Sequence, residues 1–365
     1  SLLLYAPIDT LTVGTAEEDL PWAGEVVRPE MLPEARTSGP DGRFVTGLGA
    51  GNPKGHAACV LGAVEAVAAA VRETGTTLRG DLLAGFGAGG MPTNARPGAR
   101  PGSGHGVGCS HLLEQGGHTD AAVIAKPGWT VAYEEVGLAW FDVVVRGTHT
   151  YVGSRHRLPY RNAIEAAGTV VGRLERWFDE YAAAHADGLV RPQGIVAAIE
   201  GGWRRTAALT PAVCRLRVDL RLSPRTTPAQ AGREIGAVLG RLRAEGVELD
   251  WEPVLGIAGT STDPGHWIAR RAREAWEAEA GRPHADVVGT SGATDANILR
   301  SRGVPTVRVG MPKVTGHDGS ELDFTAGMNT VDTVEMARLT RLLVRVAVDV
   351  VTSTVTSTGP GVRGG

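Results

Sequence analysis

Residues able to do chemistry gather at a few places in this chain. The glycine-rich run Gly47-Leu48-Gly49-Ala50-Gly51-Asn52-Pro53-Lys54-Gly55 stands immediately before an Ala-rich apolar stretch. Its third glycine has the wrong spacing for the Gly-x-Gly-x-x-Gly dinucleotide fingerprint, so a Rossmann cofactor site is not expected. His105, Cys109, His111 and His118 lie in one short stretch. Imidazole and thiolate are good zinc ligands, but no standard ligand spacing is present, and the expectation is an exposed loop with a helix at 110–115 behind it. Glu134-Glu135 offers two adjacent carboxylates and is read as a pair of surface charges near a domain boundary.

These residues need elements to hold them. Leu2–Tyr5, Asp81–Phe86 and Ala121–Ala125 read as short buried strands, and His56–Val71 as an Ala-rich helix. The segment 87–108 is too rich in Gly, Pro and Ser for a helix or central strand. From 137 the pattern changes. Phe141–Arg146, Gly194–Ile199, Val213–Leu222 and Val247–Pro253 read as strands, with helices at Asn162–Ala184 and Pro228–Glu245. That order, β-α-β-β-α-β, is the split βαβ of a ferredoxin-like sandwich. After about 256 the α/β alternation resumes with helices at 263–280, 295–301 and 331–352 and a strand at Val304–Val309. The expected organisation is a split α/β domain (1–136 and 254–365) with an inserted α+β domain (137–253). A cleft between two such domains is where a small ligand would bind.

Composition narrows the function classes. In 365 residues, 42% are hydrophobic and 21% charged, enough apolar material for real cores. Net charge is −3, so no overall basic field would draw nucleic acid or an anionic membrane. No apolar run reaches a membrane-spanning length free of charge; the closest, Leu339–Val351, contains Arg341, Arg345 and Asp349. Cys59, Cys109 and Cys214 are odd in number and far apart, which fits a reducing, cytoplasmic compartment. The chain opens with Ser1 in mid-strand pattern, and further sequence upstream is expected.

The layout and its motifs resemble metallopeptidase family 20, which includes acetylornithine deacetylase, succinyl-diaminopimelate desuccinylase, glutamate carboxypeptidase and the aminoacylases. The resemblance rests on Leu3-Leu4-Tyr5-Ala6-Pro7-Ile8-Asp9-Thr10, Gly47–Gly55, Gly147-Thr148-His149, Arg161-Asn162-Ala163-Ile164, Asp219-Leu220-Arg221, Gly292-Ala293-Thr294-Asp295-Ala296 and Gly303-Val304-Pro305. It implies a zinc-peptidase-like α/β domain, an inserted lid and dimerisation domain, a homodimer formed through that lid, and hydrolysis of a small amide using two zinc ions.

Residue by residue, the implied metal centre is missing its ligands. Pro7 stands at the first His ligand, Asn52 at the bridging Asp, Gly87-Ala88-Gly89-Gly90 at the Glu-Glu pair, and Lys126 at the acidic ligand before Pro127. An ammonium about 4 Å from a dication at an effective dielectric near 20 is repelled by on the order of 8 kcal/mol. No two-zinc centre and no other cofactor is therefore expected. Asp9, which orients the lost His in the family, is kept, and His317 is the surviving candidate for the last His. The resemblance gives His149 the role of an oxyanion-stabilising residue reaching a partner's site. It gives Arg221 a substrate carboxylate and places Thr294 and Asp295 in a substrate-contacting turn. Asn162 reads as a helix cap. Lys126, Asp9, Asn52 and His317 are expected to converge at the carboxyl ends of the parallel strands, with Asp9 bonded to Lys126. Lys126 would be electrophile or anion binder and Asp9 the base. Three functions follow: metal-independent chemistry on, or binding of, an amide- or carboxylate-bearing amino-acid-like molecule; a non-catalytic binding or regulatory homologue; or a zinc-dependent deacylase with rearranged ligands.

Overall fold

The computed structural model of the protein describes residues 1–10, 36–38, 42–90, 106–315, 319–320, 322 and 324–352. They divide into two compact units, Ser1–Tyr133 with Thr262–Asp286 and Thr294–Gly365, and Glu134–Ser261 with Val287–Ala293. Both sequence-drawn borders differ from these. Residue 253 falls inside a strand that runs to Ile257, and 287–293 joins the inserted unit because Val190 bridges to Thr290.

The first unit opens with β1 (Leu2–Pro7), β2 (Arg36–Ser38), β3 (Phe44–Thr46), α1 (Gly55–Thr74), β4 (Leu82–Gly87), α2 (Val107–Glu114) and β5 (Ala121–Ala125). The second unit follows with β6 (Glu134–Glu135), β7 (Gly137–Arg146), α3 (Ala163–Ala184), β8 (Gln193–Gly201), β9 (Val213–Leu222), α4 (Pro228–Ala244), β10 (Leu249–Ile257) and β11 (Thr260–Ser261). The first unit then resumes with α5 (Trp267–Ala280), α6 (Ala296–Ser301), β12 (Thr306–Val309), α7 (Phe324–Asn329), β13 (Thr330–Asp332) and α8 (Thr333–Thr352).

The first unit is built on a parallel sheet of order β12-β5-β1-β4. All of β1 and β5 is buried, because helices cover both faces and leave no solvated side to alternate toward. α1 lies against the sheet and α8, burying Cys59, Val60, Ala63 and Val67. Among the described residues, the helix 50–74 is the one long and apolar enough to cross a membrane; in this fold its apolar side packs on α8 and the sheet. The first residues of the expected 331–352 helix are instead β13, which pairs antiparallel with β3.

The second unit is a four-stranded antiparallel sheet of order β10-β7-β9-β8. Here β9 alternates buried and partly exposed residues, and α3 and α4 cover the apolar face. Asn162 caps α3, its side-chain oxygen accepting the Ile164 N–H at 2.9 Å. Glu134 and Glu135 are not surface charges. Both are buried, and Glu134 accepts the Leu189 N–H at 3.2 Å.

Candidate functional site

Four parallel strands end at one edge of the first unit, at Pro7, Gly87, Ala125 and Val309. Parallel α/β sheets place ligand sites at such carboxyl ends. Lys126 follows β5 directly, its backbone N–H held by Val309 O at 3.2 Å. A Cβ at Gly310 would stand 1.7 Å from Lys126 O, so the exits of β5 and β12 touch as only a glycine allows.

The glycine-rich run reaches the same edge. Gly49 adopts φ +72, where a side chain would also strike Thr10, and its N–H is held by Asn329 Oδ1 at 2.8 Å. Thr10 Oγ1 donates to Asn52 O at 3.1 Å, which ties this run to the exit of β1. Asn52 is thereby held with its Oδ1 accepting Lys126 Nζ at 3.1 Å, while its Nδ2 lies 3.2 Å from Met328 Sδ. Lys126 is buried, with 7% of its surface accessible.

Asp9 sits one residue from Thr10 and accepts the Gly90 N–H at 3.0 Å. Backbone at the β4 exit thus meets the Asp9 carboxylate, and the Asn52 amide meets the Lys126 ammonium. Asp295 reaches this edge from α6. Tyr5 Oη donates to Asp295 Oδ2 at 2.7 Å in a fully buried contact, and a Cβ at Gly90 would lie 3.0 Å from the same oxygen and 3.2 Å from Pro7 Cβ. The structure thus brings together Asp9, Asn52, Lys126 and Asp295. Thr294 stands beside them, its hydroxyl accepting the Ala296 N–H at 3.1 Å. His317 lies outside the described residues. His149 and Arg221 belong to the second unit. His149 is exposed. Arg221 is not a free strand cation: its guanidinium donates to Asp219 Oδ2 at 2.8 Å and to Ser291 O at 3.4 Å.

Two residues at this edge were not singled out from sequence. Tyr5 lies over the glycines of β4: a Cβ at Gly87 would be 1.8 Å from Tyr5 Oη, and one at Gly85 2.9 Å from its ring. The phenol therefore fills the space a side chain at 87 would need. The available signal was a polar-tipped aromatic in an apolar strand paired with Gly85, which is visible only once register is known. Burial above all, then the charge of Asp295, pushes the Tyr5 phenol far up, so it acts as a donor and never as a base here. His56 is the second. Its Nε2 accepts the Met311 N–H at 3.1 Å. Burial, then the positive charges of Lys126 and Arg308, lower its pKa to about 3, so it is a neutral imidazole at pH 7.

The stretch holding His105, Cys109, His111 and His118 is only in part the exposed loop expected. His105 lies outside the described residues, Cys109 is buried in the core beside Leu113, and His111 and His118 are exposed. Burial, then Asp295, pushes the Cys109 thiol up and away from the thiolate that zinc needs. Among the described residues no three His, Cys, Asp or Glu side chains gather as a metal-holding group.

No family model matches the chain. Its fold has clear relatives among solved structures. A tripeptidase from Staphylococcus aureus superposes with a TM-score of 0.66 at 13% identity, over 95% of this chain and 79% of that one. A family-20 metallo-carboxypeptidase from Sulfolobus solfataricus gives 0.65 at 13% identity, over 95% and 84%. A dipeptidase from Saccharomyces cerevisiae gives 0.63 at 13% identity, over 94% and 78%. The α/β unit with its inserted antiparallel unit is the fold of the family-20 metallopeptidases.

Proposed function

We propose that the carboxyl-end site of the α/β unit serves a small amide- or carboxylate-bearing, amino-acid-like molecule without a two-zinc centre. The observation that carries this reading is the bond from Lys126 Nζ to Asn52 Oδ1. An amide and an ammonium stand together there, and neither can serve two dications as a carboxylate would. The other described positions agree with it. Pro7 has no donor atom, and Gly87 has no room for a carboxylate while Tyr5 Oη stands against it. In this reading the residues present do not fit two zinc ions.

In this reading Lys126 attracts the ligand's carboxylate or carbonyl oxygen, Asn52 orients the ammonium, and Asp9 is the nearby base. Asp295, fixed by the Tyr5 hydroxyl, and Thr294 complete the substrate contacts, with His317 as a further candidate. The proposed homodimer pairs copies through the second unit. Among the described strands its edge strand β8 pairs on one side only, with Ile195 and Ile199 half exposed. In that dimer His149 and Arg221 gain their ligand roles. A cytoplasmic location fits the three cysteines, all free and buried.

Elemental analysis with calorimetric zinc titration tests the reading. Purified protein is expected to carry no stoichiometric zinc, and Lys126→Glu is expected to bind zinc weakly too, because Pro7 and Asn52 still lack ligand atoms. Tight zinc binding by the unmodified chain overturns it in favour of the zinc-dependent deacylase. Turnover of N-acyl amino acids by chelator-treated protein separates metal-independent catalysis from a purely binding homologue. A monomer in light scattering at micromolar concentration removes the role given to His149.

A further inference from the structure

A concavity lies wholly within the inserted unit, where α4 crosses the edge strand β10. It has a volume of about 720 Å³, within the range of small-molecule pockets. Its floor is Trp251, set edge-on to the buried Phe141 with ring centroids 5.9 Å apart. Pro228 and Leu255 contribute to its walls.

Two positions of the helix beside that floor carry no side chain. Gly232 and Gly236 both line the groove. Gly236 has a packing reason, since a Cβ there would lie 2.7 Å from Trp251. Gly232 has none: a Cβ there would meet only Phe141, at an ordinary 3.7 Å. Glycine inside a helix is unfavourable relative to alanine, so a glycine that packing does not demand keeps space open at a cost in stability.

The groove carries one charge. Arg233 lines it, exposed, and no described residue is an ion-pair partner of its guanidinium. No acidic side chain is among the lining residues. The outer edge of β10 is also a poor template for another chain: Pro253 removes a donor, and the pairing with β7 slips between Pro253 and Leu255. These features favour a compact ligand over an added strand. We propose that this groove is a binding site for a small hydrophobic carboxylate, its flat apolar body along Trp251 and Gly232 and its anionic end on Arg233. Guanidinium matches a carboxylate through two parallel hydrogen bonds, and a groove with one unshared cation selects a monoanion over its neutral analogue.

The probe is 2-naphthoate, with neutral 2-naphthylmethanol as comparison, titrated calorimetrically into the full chain. Saturable submillimolar binding of naphthoate is expected, about tenfold tighter than the alcohol. Arg233→Gln should weaken naphthoate about tenfold and erase that preference. Gly232→Leu, a helix-favouring change that fills the groove, should abolish binding of both while circular dichroism stays unchanged. No saturable binding, equal affinity for the two probes, or undiminished binding in either variant overturns the proposal. Should Gly232→Leu fail to fold, Arg233→Gln decides it. Because neither residue belongs to the α/β site, failure here leaves the zinc and turnover tests above untouched.

Discussion

The two units use polar residues in opposite ways. In the α/β unit, polar groups gather near the strand ends and are engaged inside the protein: Tyr5 with Asp295, Asp9 with Gly90, Asn52 with Lys126. In the antiparallel unit, one face of the sheet meets solvent, and charges pair across it, as Arg217 does with Asp142 and Arg146 with Asp250. The contrast teaches that a solvent-exposed ion pair such as Arg146–Asp250 is replaceable, whereas a polar atom at the first unit's strand ends is fixed by its neighbours and affects them in turn. Desolvation sets the difference, since a buried polar group has no water to replace a lost partner.

The sharpest way to break that contrast is at Gly87. Gly87→Ala should cost about 3 kcal/mol or more, because its Cβ overlaps the Tyr5 hydroxyl. The same change in a Tyr5→Phe background should cost clearly less, and denaturant midpoints of the four proteins measure the coupling. Additive effects would mean that the phenol does not occupy that space.

His56 supplies the next effect. Its pKa of about 3 lies below the unfolded value near 6.5, so between these the unfolded chain binds a proton that the folded chain refuses. The stability it contributes is complete above pH 6.5 and is lost as pH falls toward 3. From pH 7 to pH 4 the loss from this group is on the order of 3 kcal/mol. Urea unfolding across that range checks it, and His56→Gln should show a visibly shallower pH slope.

Smaller effects are expected on the antiparallel unit. Asn162→Ala should cost about 1 kcal/mol through the loss of the α3 cap, read by thermal unfolding. Arg146→Ala, which removes a half-exposed pair with Asp250, should cost about 0.5 kcal/mol or less, and less again at high salt. A loss of several kcal/mol there would erase the distinction between the units.

How much could be read in advance follows the same division. The run Val213–Leu222 announces itself by alternation, and the strand forms over those ten residues, because a half-solvated sheet writes its period into the chain. Leu2–Pro7 and Ala121–Ala125 also read as buried strands, since covered faces demand uninterrupted apolar residues. Asn162 is legible as a cap because capping is local. Glu134 and Glu135 misled: adjacent carboxylates read as surface charge, yet the Leu189 N–H reaches Glu134 from 55 residues away.

By itself the sequence determined the main strands and helices of both units, the inserted β-α-β-β-α-β order and the residue types at the strand ends, because period, caps and glycine runs act over a few neighbours. Only the tertiary structure decided which of those residues meet. It set Lys126 against Asn52, the Tyr5 hydroxyl against Gly87 and Trp251 against Gly236, and buried His56 within reach of the Lys126 charge. The physical reason is that such partners lie far apart in the chain. Their meeting depends on strand register and helix placement, which no local pattern encodes.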